Sequence, residues 1–99
     1  MRLEVRESSA AKRDRQEIWL YIANDSVRAA DDLIDLIMSV SQRAGDYPEA
    51  GQLRPDLADG IRAIPLGNYV IYYRLMPGYV YVLRILHAAR NAKEVLRES

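Results

Sequence analysis

Between residues 60 and 99 three apolar runs are separated by short clusters of turn residues, and the arrangement that satisfies them together is a three-stranded antiparallel meander. Ile61 to Leu66 reads as one strand, Tyr69 to Leu75 as the next and Tyr79 to His87 as the third. Gly67-Asn68 and Met76-Pro77-Gly78 lie between them. Glycine reaches positive φ without steric penalty and proline presets one turn dihedral, so both connections are tight. With a two-residue first turn, Arg62 points the same way as Ile64, Tyr69, Ile71 and Tyr73, while Val70, Tyr72 and Arg74 point the other way. The second turn can hold two or three residues, which leaves the face of Arg84 open.

The upstream half has a different period. Leu3 and Val5 alternate with Arg2, Glu4 and Arg6, the pattern of a short strand with one buried face. Ser8 or Ser9 can accept a backbone N–H and start a helix that runs to about Ala23, with Ala11, Ile18 and Ile22 on one face and Trp19 beside them. Asn24-Asp25-Ser26 is a turn cluster, and a second helix begins near Val27. Its stripe of Ala30, Leu33, Ile34, Ile37, Val40, Ser41 and Ala44 is apolar at helical spacing, and Gly45 reads as its left-handed stop. Asp46 to Gly60 has no sustained period and reads as a long loop pinned by Leu53 and Leu57. After the meander, Asn91 can cap a short terminal helix with Glu94 three residues on and Val95 and Leu96 as apolar anchors. The predicted fold is α+β: an N-terminal strand, an antiparallel helical hairpin packed on a sheet completed by the meander, and a short C-terminal helix. Its helices cover one face of the sheet, leaving the other to solvent, a partner or a substrate.

Ninety-nine residues are expected to form one domain with a single core. Cysteine is absent, so neither a disulfide nor a thiolate metal site is available. No apolar run approaches the roughly 20 residues that span a bilayer, and Met1-Arg2-Leu3-Glu4 is not a signal peptide, which predicts a soluble intracellular protein. The formal net charge is zero but unevenly shared. Residues 1 to 59 hold eight Lys or Arg against twelve Asp or Glu, and residues 60 to 99 hold six against two. The meander and tail can therefore meet an anionic partner if folding gathers their charge.

No P-loop, GxGxxG, GxSxG, CxxC or HExxH motif is present, so phosphate-cradling, dinucleotide and the common hydrolase chemistries have no footing. His87 is the only histidine and cannot assemble a His-based metal pair. It reads equally as a hydrogen-bonding group at a strand end. Arg74 reads as a strand-end arginine laid over Tyr72. Tyr69, Tyr72, Tyr73, Tyr79 and Tyr81 concentrate in the meander, where their rings supply apolar area and their hydroxyls reach polar surroundings. Asp31, Asp32 and Asp35 read as a solvated acidic face.

The segments Gly60-Ile61-Arg62, Leu66-Gly67-Asn68-Tyr69-Val70-Ile71-Tyr72-Tyr73-Arg74 and Val82-Leu83-Arg84-Ile85-Leu86-His87-Ala88-Ala89-Arg90 resemble the ParE branch of the RelE/ParE toxin superfamily. Trp19-Leu20-Tyr21-Ile22, Ala29-Ala30-Asp31 and Leu53-Arg54-Pro55-Asp56-Leu57 are similar to it as well. The resemblance implies a bacterial, cytoplasmic type II toxin that needs no cofactor or metal, is neutralised by a ParD-like antitoxin and has DNA gyrase as its target. Neither a membrane partner nor sequence-specific DNA binding is expected. On this reading Arg62, Arg84, His87, Arg90 and Lys93 form the target-binding surface, and Trp19, Leu20, Met38 and Tyr73 take the antitoxin.

RelE-like members of the superfamily instead cleave messenger RNA on the ribosome. That chemistry requires a general base, a general acid and cationic stabilisation of the phosphorane, for which Arg62, Arg84 and His87 are the alternative catalytic set, with Arg90 nearby. Two departures weigh against it. Val70 occupies the strand position where cleaving relatives commonly carry arginine, and the chain ends in a basic helix rather than in a tyrosine close after the last strand. A third possibility is a toxin-like fold without activity that only binds an antitoxin.

Overall fold

The computed structural model describes residues 2–97; Met1, the first residue of the segment read against a signal peptide, lies outside them. The chain begins with β1 (Glu4–Glu7), from which Leu3 and Val5 pack into the core. Helix α1 (Ser9–Ala23) follows at once because Ser8 is extended and its Oγ accepts from the Ala11 N–H at 2.9 Å. The same hydroxyl donates to the Leu83 carbonyl at 2.7 Å, so the cap also ties the helix to the last strand. Helix α2 (Val27–Asp46) is capped in the same way by Ser26. Of its stripe Ala30, Ile37, Ser41 and Ala44 are buried and Leu33, Ile34 and Val40 partly so, and Ser41 Oγ, the one polar group in it, donates to the Ile37 carbonyl at 2.8 Å.

Gly45 is not a helix stop. It lies buried within α2, where the Leu3 N–H donates to its carbonyl at 2.8 Å. A Cβ at this position would strike the Leu3 carbonyl and stand 3.1 Å from Val5 Cγ2. The glycine therefore permits close approach of a strand to a helix rather than a left-handed turn.

The segment read as a loop contains a two-residue edge strand, β2 (Gln52–Leu53). Leu53 is 50% exposed on it and does not reach the core, whereas Leu57 packs beneath the sheet as expected. Strands β3 (Ile61–Leu66), β4 (Tyr69–Met76) and β5 (Tyr79–His87) form the meander. Both hairpins close with two residues, and Gly67 and Gly78 have φ of 59° and 86°. The sheet has five strands in the order β1-β5-β4-β3-β2, antiparallel except that β1 runs parallel to β5.

The two faces of the sheet carry separate cores. Toward the hairpin, Ile71, Tyr73, Val80, Val82 and Ile85 pack against Ala11, Ile18, Ile37 and Ala44. Fully burying one such isoleucine or valine contributes about 1.5–3 kcal/mol. The outer face was expected to be open. It carries Ile61, Ala63, Val70, Tyr72 and Leu86, and a third helix, α3 (Ala92–Arg97), closes part of it with Ala92, Val95 and Leu96. Asn91 Oδ1 accepts from the Glu94 N–H at 3.2 Å and starts that helix, as the sequence suggests.

Candidate functional site

Each of the three arginines of the meander donates to the protein's own atoms. Arg62 stands opposite Tyr73 on the hairpin-side face. Its Nη1 donates to the carbonyls of Gly51 at 2.7 Å and Glu49 at 3.2 Å. Tyr73 works on the same segment: its hydroxyl donates to the Pro48 carbonyl at 2.7 Å and accepts from the Gly51 N–H at 2.9 Å. Residues 48 to 51 are thereby clamped to the sheet. Tyr73 has no exposed surface, so the expectation that it contacts an antitoxin is corrected. Burial pushes its phenol above the ordinary 10.0.

Arg84 is committed as firmly. Between Tyr72 and Tyr73 the register shifts, Tyr72 facing Arg84 and Tyr73 facing Val82, so Leu83 is an extra residue in β5. Just beyond Val82 the pairing with β1 stops, which leaves the edge of β5 unpaired. Asp14 of α1 fills the gap. Its carboxylate accepts from Arg84 Nε at 2.7 Å, Arg84 Nη2 at 2.8 Å and the Ile85 N–H at 2.9 Å. Three donors satisfy the buried charge, and the hydrogen bonds hold the Arg84 guanidinium above its ordinary pKa. Asp14 was not singled out from the sequence. Its signal is positional, a carboxylate on the apolar stripe between Ala11 and Ile18.

Arg74 Nη2 donates to the Asp59 carbonyl at 3.0 Å. The outward display of positive side chains expected of the meander is therefore corrected: Arg62, Arg74 and Arg84 each organise the protein's own backbone or carboxylates.

The three groups of the alternative nuclease set do not converge. Arg62 pairs with Tyr73 and His87 with Tyr69, on opposite sides of β4 and four residues apart along it. Four strand residues span about 13 Å. Arg84 is turned to Asp14 between them. His87 is exposed, its Nδ1 accepts from the Ala89 N–H at 3.0 Å, and its ring meets Tyr69 edge-on at 5.4 Å. Val70, at the position where an arginine would serve cleavage, packs with Ala63, Tyr72 and Leu86 on an apolar face.

Free positive charge lies instead after β5. Arg90, Lys93 and Arg97 are exposed, and among the described residues none of the ion pairs includes them. Arg90 stands with His87 at the end of β5, Lys93 lies within electrostatic reach of Asp56, and Arg97 ends α3. Arg90 and His87 also border a cleft of about 420 Å³ whose opposite wall includes Glu17 and Tyr21 of α1.

The second expected surface is on the hairpin. A groove of about 380 Å³ runs between α1 and α2, lined by Arg15, Gln16, Trp19, Leu20 and Ile34. Trp19 is half-buried, and its Nε1 donates to Asp31 Oδ1 at 2.8 Å, fixing the indole as one wall. Glu7 holds Arg15 through two bonds of 2.9 and 2.8 Å. Leu20 is 64% exposed and Met38 half-buried. Tyr21, and Leu36, which was not singled out from the sequence, are exposed on the same hairpin. Among the described residues no group of His, Asp and Glu side chains could hold a metal ion, and no helix is long and apolar enough to cross a membrane.

Residues 5–92 match the family described as the ParE toxin of type II toxin-antitoxin system, parDE. Toxin ParE3 of Caulobacter vibrioides is 34% identical over 68 residues, covering 69% of this chain and 68% of that protein. Toxin RelE3 of the same organism is 28% identical over 79 residues, or 79% and 86% of the two chains. Among solved structures, a chain of the chromosomal ParDE TA system from P. aeruginosa superposes with a TM-score of 0.74 at 18% identity, covering 86% of this chain and 95% of that one. A chain of the toxin-antitoxin complex RelBE2 from Mycobacterium tuberculosis gives 0.68 at 22% identity, covering 88% and 99%. At these identities the two structures bear on the fold alone.

Proposed function

The chain belongs to the ParE toxins of type II toxin-antitoxin systems, and from that premise we propose that it acts in the bacterial cytoplasm by binding DNA gyrase, without catalysing a reaction of its own, and is silenced by a ParD-like antitoxin. The observation that carries this reading is the dispersal of Arg62, Arg84 and His87. A cleavage site needs its acid, base and phosphorane-stabilising cation around one reacting atom. Here two of the three are bound to the protein's own groups and the third stands apart at a strand end. A binding inhibitor has no such requirement. His87, Arg90 and Lys93, together with Arg97, supply exposed basic contact residues for it. Arg62 and Arg84 instead hold the protein's own loop carbonyls and the Asp14 carboxylate.

The antitoxin is assigned to the hairpin groove. An acidic-apolar segment that folds as it binds would place an apolar side chain between Trp19 and Leu20, with Met38 extending the contact. The similarity to Toxin RelE3 keeps cleavage of messenger RNA as the second reading. One experiment separates the two. The purified protein is added to a gyrase supercoiling reaction and to a translation mixture whose messages are then sized. Loss of supercoiling with intact message is the expected result; cut message with supercoiling unimpaired would replace this reading with the second. Survival of cells expressing the chain alone would point to an inactive, antitoxin-binding protein.

A further inference from the structure

On the outer face of the sheet, away from the hairpin groove, a cleft of about 530 Å³ opens between the start of α1, the meander and α3. Its floor is aliphatic, formed by Ile61, Leu83, Leu57 and Leu96. Two guanidinium groups border it, Arg13 from α1 and Arg74 from β4. Arg13 is exposed and takes part in none of the ion pairs among the described residues. Arg74 lies between Tyr81 and Ile61 in the cross-strand row. While its Nη2 is satisfied by the Asp59 carbonyl, its Nε is buried and has no hydrogen-bond partner.

We propose that this cleft is a docking site for a peptide segment of a partner protein in which a carboxylate stands next to an aliphatic side chain. The carboxylate accepts from the exposed Arg13 and lies against the Arg74 guanidinium at the border of the cleft, and the aliphatic group rests on Ile61, Leu83 and Leu96. Two arginines at the border of one apolar cleft match a single acidic residue flanked by hydrocarbon. A nucleic-acid strand needs cations spaced along its phosphates and flat platforms for its bases, and Tyr81 is the sole aromatic in this lining. The site is separate from the hairpin groove, and it stands whichever target the protein has.

The test uses the intact protein and short fluorescein-labelled peptides built on a Leu-Glu-Ser repeat, with a Leu-Gln-Ser repeat as the uncharged counterpart, read by anisotropy. The acidic peptide is expected to bind about tenfold more tightly than the neutral one. Arg13→Gln and Arg74→Gln each lower that affinity severalfold, and Arg28→Gln, on an exposed turn of α2, leaves it unchanged. Arg13 is exposed, so its substitution carries the test even where Arg74→Gln fails to fold. Equal binding of the two peptides, absence of binding by both, indifference to Arg13→Gln, or displacement of the peptide by an unlabelled oligouridine would each overturn the proposal, the last in favour of RNA.

Discussion

At the scale of single residues, the buried carboxylate of Asp14 has the largest consequences. It closes the edge of β5 where β1 ends and neutralises Arg84 at the same time. Asp14→Ala leaves a guanidinium and an N–H without their acceptor, and the expected loss is about 3–5 kcal/mol in urea unfolding. The pair Asp14→Leu with Arg84→Met is expected to recover part of that loss, because it removes both charges together. Tyr73 sets a limit at alkaline pH. Its folded-state pKa is raised by burial, so the unfolded chain releases the phenolic proton first. Its contribution is fully present below the ordinary value of 10.0 and falls as pH rises through the folded value. Tyr73→Phe should flatten that fall in a series of denaturation curves. At neutral pH it costs about 1–3 kcal/mol, because the Gly51 N–H and the Pro48 carbonyl lose their partner.

At the scale of elements, Gly45 inverts the usual rule for glycine in a helix. Replacing an interior helical glycine by alanine ordinarily stabilises by about 1 kcal/mol. Gly45→Ala is expected to destabilise by about 1–3 kcal/mol and lower the thermal midpoint, since the methyl group enters the space held by Leu3 and Val5. The helices and the meander strands were legible because each rests on a local period closed by a local signal: Ser8 and Ser26 at the helix starts, Gly67 and Gly78 in the turns. What sequence reading missed depends on distant neighbours. The role of Gly45 is decided by Leu3 and Val5, about forty positions away, and β2 is too short to display a period. The extra residue Leu83 is invisible until β4 and β5 are aligned. For the same reason Arg62 and Arg84 looked like contact residues. An arginine on a strand reads alike whether it faces a partner or its own loop.

At the scale of the whole molecule, chemistry is divided among surfaces that can be tested separately. Leu20→Glu changes an exposed side chain, so stability should move by no more than about 0.5 kcal/mol. Co-purification with the antitoxin should nevertheless fall at least about tenfold, because the new charge enters the hairpin groove. Arg90→Glu combined with Lys93→Glu should leave antitoxin binding intact and weaken inhibition in the supercoiling assay. The parallel pairing of β1 with β5 adds a constraint of timing. Glu4 pairs with Tyr79, and Ser8 reaches Leu83 across 75 positions. During synthesis the first strand must wait until the last has left the ribosomal tunnel before the sheet can close. Contacts so widely separated along the chain also make folding comparatively slow. On the proposed function, the chain can therefore engage its target as a folded protein only after its last strand has been made.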